Sequence, residues 1–269
     1  MASETLSVVI AARNCEDRIE GTVKPWLWAH EVIVADQMST DATADRATRL
    51  GAKVWSGNPP GGNFDLNRKL AMERATGQWV LYIDTDERPT PALVEELKAF
   101  LAAPPAHVNG ARIPNDLYFL GGPLKHGIYN RRHAEIRLVR QGLWLYPCES
   151  GYHRGVTVKS GEVARLFQSY RHYNVNGLSE WFLKTNQYTE LDATPGRAAT
   201  WSALLRFKLF FLKHYFWKLG FLDGWRGFLA CWYFGLYHFT LSAKSWEKAQ
   251  LAALKEGSDY LSPLPPAGR

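Results

Sequence analysis

The sequence predicts an α/β protein built on a doubly wound, mostly parallel sheet, followed by a helical C-terminal extension. Three observations carry this expectation. Short apolar, β-branched runs alternate with helical stretches over the first hundred residues, and those runs end on polar or acidic residues. Beyond Thr194-Pro195-Gly196 the composition turns basic and aromatic.

Leu6–Ala12 (LSVVIAA) is a continuous apolar run, as expected of a strand buried on both faces. Glu16–Ala29 reads as a helix despite Pro25, and Glu31–Ala35 as a second buried strand ending at Asp36. Ser39-Thr40-Asp41 is placed to cap a helix that runs to about Leu50 and stops at Gly51. Lys53–Trp55 is a short strand. Asn63 is placed to cap a helix through about Ala75, closed by Gly77. Trp79–Ile83 (WVLYI) is a third strong strand, and Thr90-Pro91 opens a helix to about Ala102. From Pro104 to Gly161 the regularity weakens, with strands expected at Ala111–Ile113 and Glu135–Val139.

At 269 residues, 46% of them hydrophobic, the chain is neither disordered nor a multi-span membrane protein. Its net charge of +6 suits an anionic partner: phosphates, a membrane surface or nucleic acid. Cys15, Cys148 and Cys231 are too scattered for a zinc site or a disulfide framework. The N-terminus carries no basic segment ahead of an apolar run, which reads as a cytosolic protein with reduced thiols.

Ligands of such sheets bind beyond the carboxyl ends of the strands. Here those ends carry Arg13 and Asn14, then Asp36, then Asp84 and Asp86. Alternate residues of an extended segment share a face, so Asp84 and Asp86 point the same way and repel. A hard cation bridging to substrate phosphates relieves that repulsion, and oxygen ligands suit Mg²⁺ or Mn²⁺. The residues alone leave open a solvated acidic turn, with Glu87 and Arg88 as a surface pair.

The order of motifs resembles a known family. Ser7-Val8-Val9-Ile10-Ala11-Ala12-Arg13-Asn14-Cys15-Glu16, then Asp36-Gln37-Met38-Ser39-Thr40-Asp41-Ala42-Thr43, resembles the opening of the family 2 inverting glycosyltransferases of the GT-A fold. Phe64-x-x-Asn67-Arg68-Lys69-x-Ala71, Gly77-Gln78-Trp79-Val80 and Asp84-x-Asp86-Glu87-Arg88 follow in the family's order. The branch it most resembles is the lipopolysaccharide-core β-glucosyltransferase type. The resemblance implies a catalytic domain over 1–190, with a nucleotide-sugar half at 1–103, an acceptor half at 104–190 and a helical extension at 191–269. It implies that Ala11, Arg13 and Glu16 line the nucleotide pocket and that Asp36 meets the base or ribose of a uridine nucleotide. Arg68 would neutralise diphosphate, Asp84 would sit over ribose and metal, and Asp86 would be the main metal ligand. Arg137-Leu138-Val139-Arg140 is similar to a strand whose arginine orients the donor. The general base expected on the acceptor side falls on Glu149, with Asp116 behind it. Cys148 stands where the branch carries histidine. His172-Tyr173, and Lys184 with Tyr188 one turn apart, also match the branch, near the site or as structural residues.

Residues 197–222 hold five basic residues and no acid, among many aromatics. The longest charge-free run, Gly227–Ala243, has 17 residues, at the lower edge of a membrane span. An in-plane or re-entrant helix pair over 201–243, broken near Asp223-Gly224-x-x-Gly227, fits better. An aromatic core packed on the catalytic domain or on a second subunit is the alternative, and nucleic acid is a poor third. The resulting expectation is an inverting, metal-dependent transferase. It would move a sugar from a UDP-sugar to a lipid-linked or core-saccharide acceptor at the inner face of the cytoplasmic membrane. A nucleotidyltransferase ranks below it, because Ala11–Cys15 lacks glycine. A non-catalytic membrane scaffold with a degenerate GT-A fold is favoured only by Cys148.

Overall fold

The computed structural model describes residues 3–57, 63–128, 134–147, 155–175, 177–195 and 200–257. Strand β1 forms over Leu6–Ala12 with every residue buried. Its alternate side chains feed two cores: Leu6, Val8, Ile10 and Ala12 join one, and Val9 joins the other. A strand with apolar neighbours on both faces needs the unbroken hydrophobic run seen in its sequence.

Helix α1 covers only Ile19–Val23, because the chain tightens into a 3-10 turn at Lys24–Trp26 around Pro25. Proline lacks the N–H that would continue an α-helix, so the longer helix expected over Glu16–Ala29 is cut short. Strand β2 (Glu31–Asp36) is followed by α2 (Thr43–Arg49), which starts later than expected. The Asp41 carboxylate is spent on the Thr43 and Glu16 amides ahead of it, at 3.0 and 3.1 Å. Strand β3 (Lys53–Ser56) leads to α3 (Phe64–Glu73), where Asn63 caps by accepting from the Leu66 amide at 3.0 Å. Strands β4 (Trp79–Asp84) and β5 (Glu87–Pro89) precede α4 (Pro91–Ala102), whose Thr90 cap accepts from the Leu93 amide at 3.2 Å.

The next strand, β6 (Val108–Phe119), is far longer than the three residues expected. Short β7 (Gly122–Pro123) and then β8 (Ala134–Arg140) follow, with a separate β9 (Trp144–Leu145)–β10 (Thr157–Val158) pair. Strands β11 (Glu162–Arg165) and β12 (Tyr170–Val175) complete the main sheet. Its order is β3-β2-β1-β4-β8-β6-β12-β5, with β7 and β11 also paired to β6. The first four strands are parallel, and β8 runs antiparallel to both β4 and β6. Leu93, Leu97 and Leu101 of α4, with Ile19 and Val23 of α1 and Ala47 of α2, cover one face. Ala71 and Met72 of α3, with Trp144 and Tyr146, cover the other. The doubly wound α/β class read from the sequence is the class observed.

The chain divides into two compact units, Met1–Pro123 with Tyr129–Asn174, and Leu124–Ile128 with Val175–Arg269. The second unit holds α5 (Leu178–Asp192), α6 (Thr200–Leu212) and α7 (Gly224–Gly257). The break expected near Asp223 is a 3-10 turn at Gly220–Asp223, and the carbonyl of Gly220 sits where a side chain at Gly227 would begin. No helix among the described residues is long and apolar enough to cross a membrane.

Glu31 pins the amino ends of the parallel strands together. Its carboxylate accepts from Ser7 Oγ (2.6 Å), the Thr76 amide (2.7 Å) and Thr76 Oγ1 (2.8 Å), and meets Lys53 Nζ at 2.6 Å. Burial opposes the charge, yet Lys53, Ser7 and Thr76 prevail and lower its pKa from 4.5 to about 2. A carboxylate lowered on folding contributes stability above its unfolded pKa and loses it as pH falls through the folded value. Wild type is therefore expected to lose stability between pH 4.5 and about 2. In urea titrations the gap between wild type and Glu31→Gln should narrow from pH 7 to pH 3. A constant gap would contradict this role.

Candidate active site

Register brings the sequence-flagged acids to one edge. At the carboxyl end of β1, Ala12 pairs with Asp36 of β2 and Ala11 with Asp84 of β4. Beyond the strand, Asn14 adopts a left-handed φ of 45° and Met38 one of 53°. The Asn14 side chain accepts from the Thr40 amide at 2.8 Å, fastening these two loops to each other. Asp36 is buried; one oxygen accepts from the Ser39 amide at 3.1 Å, and the other has no hydrogen-bond partner. The nearby Asn67 side chain donates to the Ala35 carbonyl, while its own buried oxygen is likewise unpartnered. Two orphaned acceptors at a strand edge suit a ligand that brings donors, such as a pyrimidine N–H or ribose hydroxyls. Arg13 is exposed at this edge. The Glu16 carboxylate instead accepts from the Ala42 amide at 3.0 Å, ahead of α2.

Beside this edge lies a buried charge network. Arg68 of α3 donates to Asp84, to Asp65 at 3.3 Å and to the Tyr146 hydroxyl at 2.9 Å. Tyr146 in turn donates to Asp65 at 2.7 Å. Arg137 of β8 grips Glu87 with both terminal nitrogens, at 2.9 and 3.3 Å, and meets Glu135 at 3.0 Å and Asp84 at 3.9 Å. Both guanidiniums lie over the Tyr82 ring, 5.4 and 4.9 Å from its centroid, which offsets their mutual repulsion. The surface pairing of Glu87 with Arg88 is absent: Glu87 is fully buried, and it accepts from the Asp84 amide at 2.9 Å. Burial, aided by the Asp84 and Asp86 charges and opposed by Arg137, pushes the Glu87 carboxyl up to about 7. Arg88 serves the turn, donating to the carbonyls of Thr85 at 2.8 Å and Arg18 at 3.0 Å.

Asp86 faces His172. Strand β12 pairs antiparallel with β5, setting His172 opposite Glu87, and the Tyr173 amide donates to the Asp86 carbonyl at 2.8 Å. His172 Nε2 then lies 3.6 Å from an Asp86 carboxylate oxygen. Burial disfavours a charged ring, but the Asp86 and Glu87 carboxylates outweigh it and hold the His172 pKa above its ordinary value.

Five carboxylates (Asp65, Asp84, Asp86, Glu87 and Glu135) thus surround two guanidiniums and one imidazole. The oxygen and nitrogen donors of this cluster are those that Mn²⁺ or Mg²⁺ accepts. Among the described residues, no three His, Cys, Asp or Glu side chains already form a metal cage. At phosphate sites Mg²⁺ keeps part of its shell for the phosphate oxygens.

The other expected residues are placed as follows. Asp116 accepts from Ser169 Oγ and shares its sheet face with Tyr118, whose ring meets Tyr173 at 4.9 Å. That is the face opposite Asn115, which reaches Tyr170 beside Arg137. Glu149, with Cys148, lies outside the described residues. In the second unit, Lys184 pairs with Glu180 at 3.0 Å, and half-buried Tyr188 stands one turn further along α5. Sequence reasoning passed over Asp65, Tyr82, Glu135 and Tyr146. Only Asp65 carried a signal, its i,i+3 spacing from Arg68 on one helix. A cavity of about 630 Å³ adjoins the network, lined by Lys69, Glu73, Trp144, Tyr146 and Lys159 among others.

The model of the family "Glycosyl transferase family 2" matches residues 7–161. The chain is 26% identical over 269 residues to the lipopolysaccharide core biosynthesis glycosyltransferase LpsC of Rhizobium meliloti, covering 96% of this chain and 97% of that one. A 110-residue stretch is 37% identical to the glucosyl-3-phosphoglycerate synthase of Mycolicibacterium smegmatis, covering 36% of each chain. The Mycobacterium tuberculosis glucosyl-3-phosphoglycerate synthase, solved with Mn²⁺ and UDP-glucose, superposes with a TM-score of 0.34 at 31% identity. That match spans 43% of this chain and 44% of the synthase, less than half of its length.

Removing one partner of a buried ion pair leaves an uncompensated charge, at a cost of about 3–5 kcal/mol. Arg137→Met should destabilise the protein by about that amount in urea unfolding. Adding Glu87→Gln should recover a clear part of the loss. A cost below about 1 kcal/mol, typical of surface pairs, would show that the Arg137–Glu87 pair is not structural.

Proposed function

We propose, from the premise that this chain belongs to glycosyl transferase family 2, that it moves a hexose from a UDP-sugar to a saccharide acceptor with inversion. The observation that carries the reading is the gathering of carboxylates at the sheet edge, with Asp86 and His172 facing each other at 3.6 Å. Asp86 and His172 would hold a divalent cation, Mn²⁺ or Mg²⁺, with the donor diphosphate filling the rest of its shell. Such a cation supplies positive charge where the departing nucleoside diphosphate gains negative charge. This departs from the sequence expectation, which gave the metal to Asp86 and Asp84 and set His172 near the site or as a structural residue. Asp84 is tied to Arg68 and Arg137, so it acts as a positioned acceptor near the ribose.

The chain's own groups then take distinct parts. The unpartnered oxygen of Asp36 accepts from the uracil or ribose, and Ala11 and Arg13 border the nucleotide at the end of β1. Arg137, already balanced by Glu87 and Glu135, holds Asp84 toward the donor. Inversion requires a base on the opposite face of the sugar to take the acceptor hydroxyl proton. Glu149 is the proposed base; its neighbour Cys148 replaces the branch's histidine. Likeness to LpsC along nearly the whole length supports a lipid-linked or lipopolysaccharide-core saccharide as acceptor, at the inner face of the cytoplasmic membrane.

Donor turnover tests the assignment. Asp86→Asn and His172→Ala should each lower turnover by about 10²–10³-fold, the scale of losing a charge-stabilising group, with circular dichroism unchanged. Chelator should abolish turnover, and Mn²⁺ should restore it. Glu149→Gln should lower turnover while leaving thermal stabilisation by the donor intact. Full activity in chelator would refute the metal-dependent reading.

A further inference from the structure

The second unit presents a surface that catalysis does not use. In α6, Phe207 and Phe211 turn toward Trp232 of α7, with ring centroids 4.9 and 5.9 Å away. The opposite stripe, Trp201, Leu205, Leu209 and Leu212, stays exposed at helical spacing. Trp217, in the connection between α6 and α7, is 87% exposed, and Trp225, in the first turn of α7, is 70% exposed. Buried aromatics would stabilise the fold, so side chains this large left in water mark a surface that something else covers.

Charge decides what covers it. Between residues 200 and 246 the sequence holds six Lys and Arg and a single acid, Asp223. That acid is buried and already used: its carboxylate accepts from the Lys125 and His126 amides at 3.0 and 2.8 Å and meets His126 Nδ1 at 3.0 Å. Arg206, Lys208, Lys213 and Lys218 are all exposed, so the charge offered to solvent around the apolar stripe is positive. A second copy docking through the same patch would set these cations against their equals. An anionic bilayer complements both features, since tryptophans favour headgroup depth and lysines favour acidic lipid. No described helix suits crossing, which leaves an in-plane seat on the bilayer surface for this apolar, basic stretch.

We infer that the stripe Trp201–Leu212, with Trp217 and Trp225, forms an in-plane docking surface for anionic phospholipid. The surface takes the membrane location of the proposed function as its frame, but its test needs neither donor nor acceptor. The full chain would be mixed with vesicles of phosphatidylcholine, with or without phosphatidylglycerol. The expected result is sedimentation only with phosphatidylglycerol, weakening as salt rises, with tryptophan emission quenched by brominated lipid chains. Trp217→Ser with Trp225→Ser should lose the quenching. Each of Lys208→Glu, Lys213→Glu and Lys218→Glu should weaken binding at least about fivefold. Equal binding to both vesicle types, binding to neither, or a dimer in light scattering that these substitutions dissociate would overturn the inference. Donor hydrolysis in vesicle-free solution should be unchanged in the tryptophan variant. Intact hydrolysis without vesicle binding would sink the docking surface alone, and the reverse result the transferase reading alone.

Discussion

Two guanidiniums buried among a larger number of carboxylates are the constraint on which the rest of the structure depends. A buried arginine is tolerable only when paired and hydrogen-bonded. Arg68 and Arg137 meet that need through Asp65, Asp84, Glu87 and Glu135. Satisfying both at once requires α3, β4, β5 and β8 to arrive at one place. Once they do, β12 follows by pairing with β5, and His172 is delivered to Asp86. Burial, aided by the Asp84 and Asp86 charges, pushes Glu87 toward neutrality despite its arginine.

The sheet makes this possible by separating labour between its ends. At the amino ends Glu31 knits β1, β2, β3 and the residues before β4 with four bonds, all internal. At the carboxyl ends, polar atoms remain unspent, as on Asp36 and Asn67. One end is finished by the protein itself; the other waits for a partner. Parallel strands generally place ligands at the latter end, and here hydrogen-bond accounting picks the same end.

Local signals in the sequence were legible where neighbours in the chain settle the structure. β1 ends where its apolar run ends, and the Asn63 and Thr90 caps and the helix Pro91–Ala102 form as read. Asp36, Asp84 and Asp86 fall at the predicted edge because strand register follows from those runs. Other features depended on partners distant in sequence. Tyr146 reaches Arg68 across 78 positions, and Arg137 reaches Glu87 across 50. Nothing adjacent to either residue announces the contact. β12, reading Tyr-Arg-His-Tyr-Asn-Val, has too little apolar periodicity to stand out, and it becomes a strand through its neighbours. Pro25 was visible but underweighted, and α1 is shorter for it.

The most direct measurement is calorimetry of uridine diphosphate against the purified chain, with Mn²⁺ and without it. Binding should appear with the metal and fade when it is removed, and His172→Ala should weaken the metal-dependent part without unfolding the protein. Equal affinity with and without Mn²⁺, or no binding in either case, would contradict a site that holds a cation through Asp86 and His172.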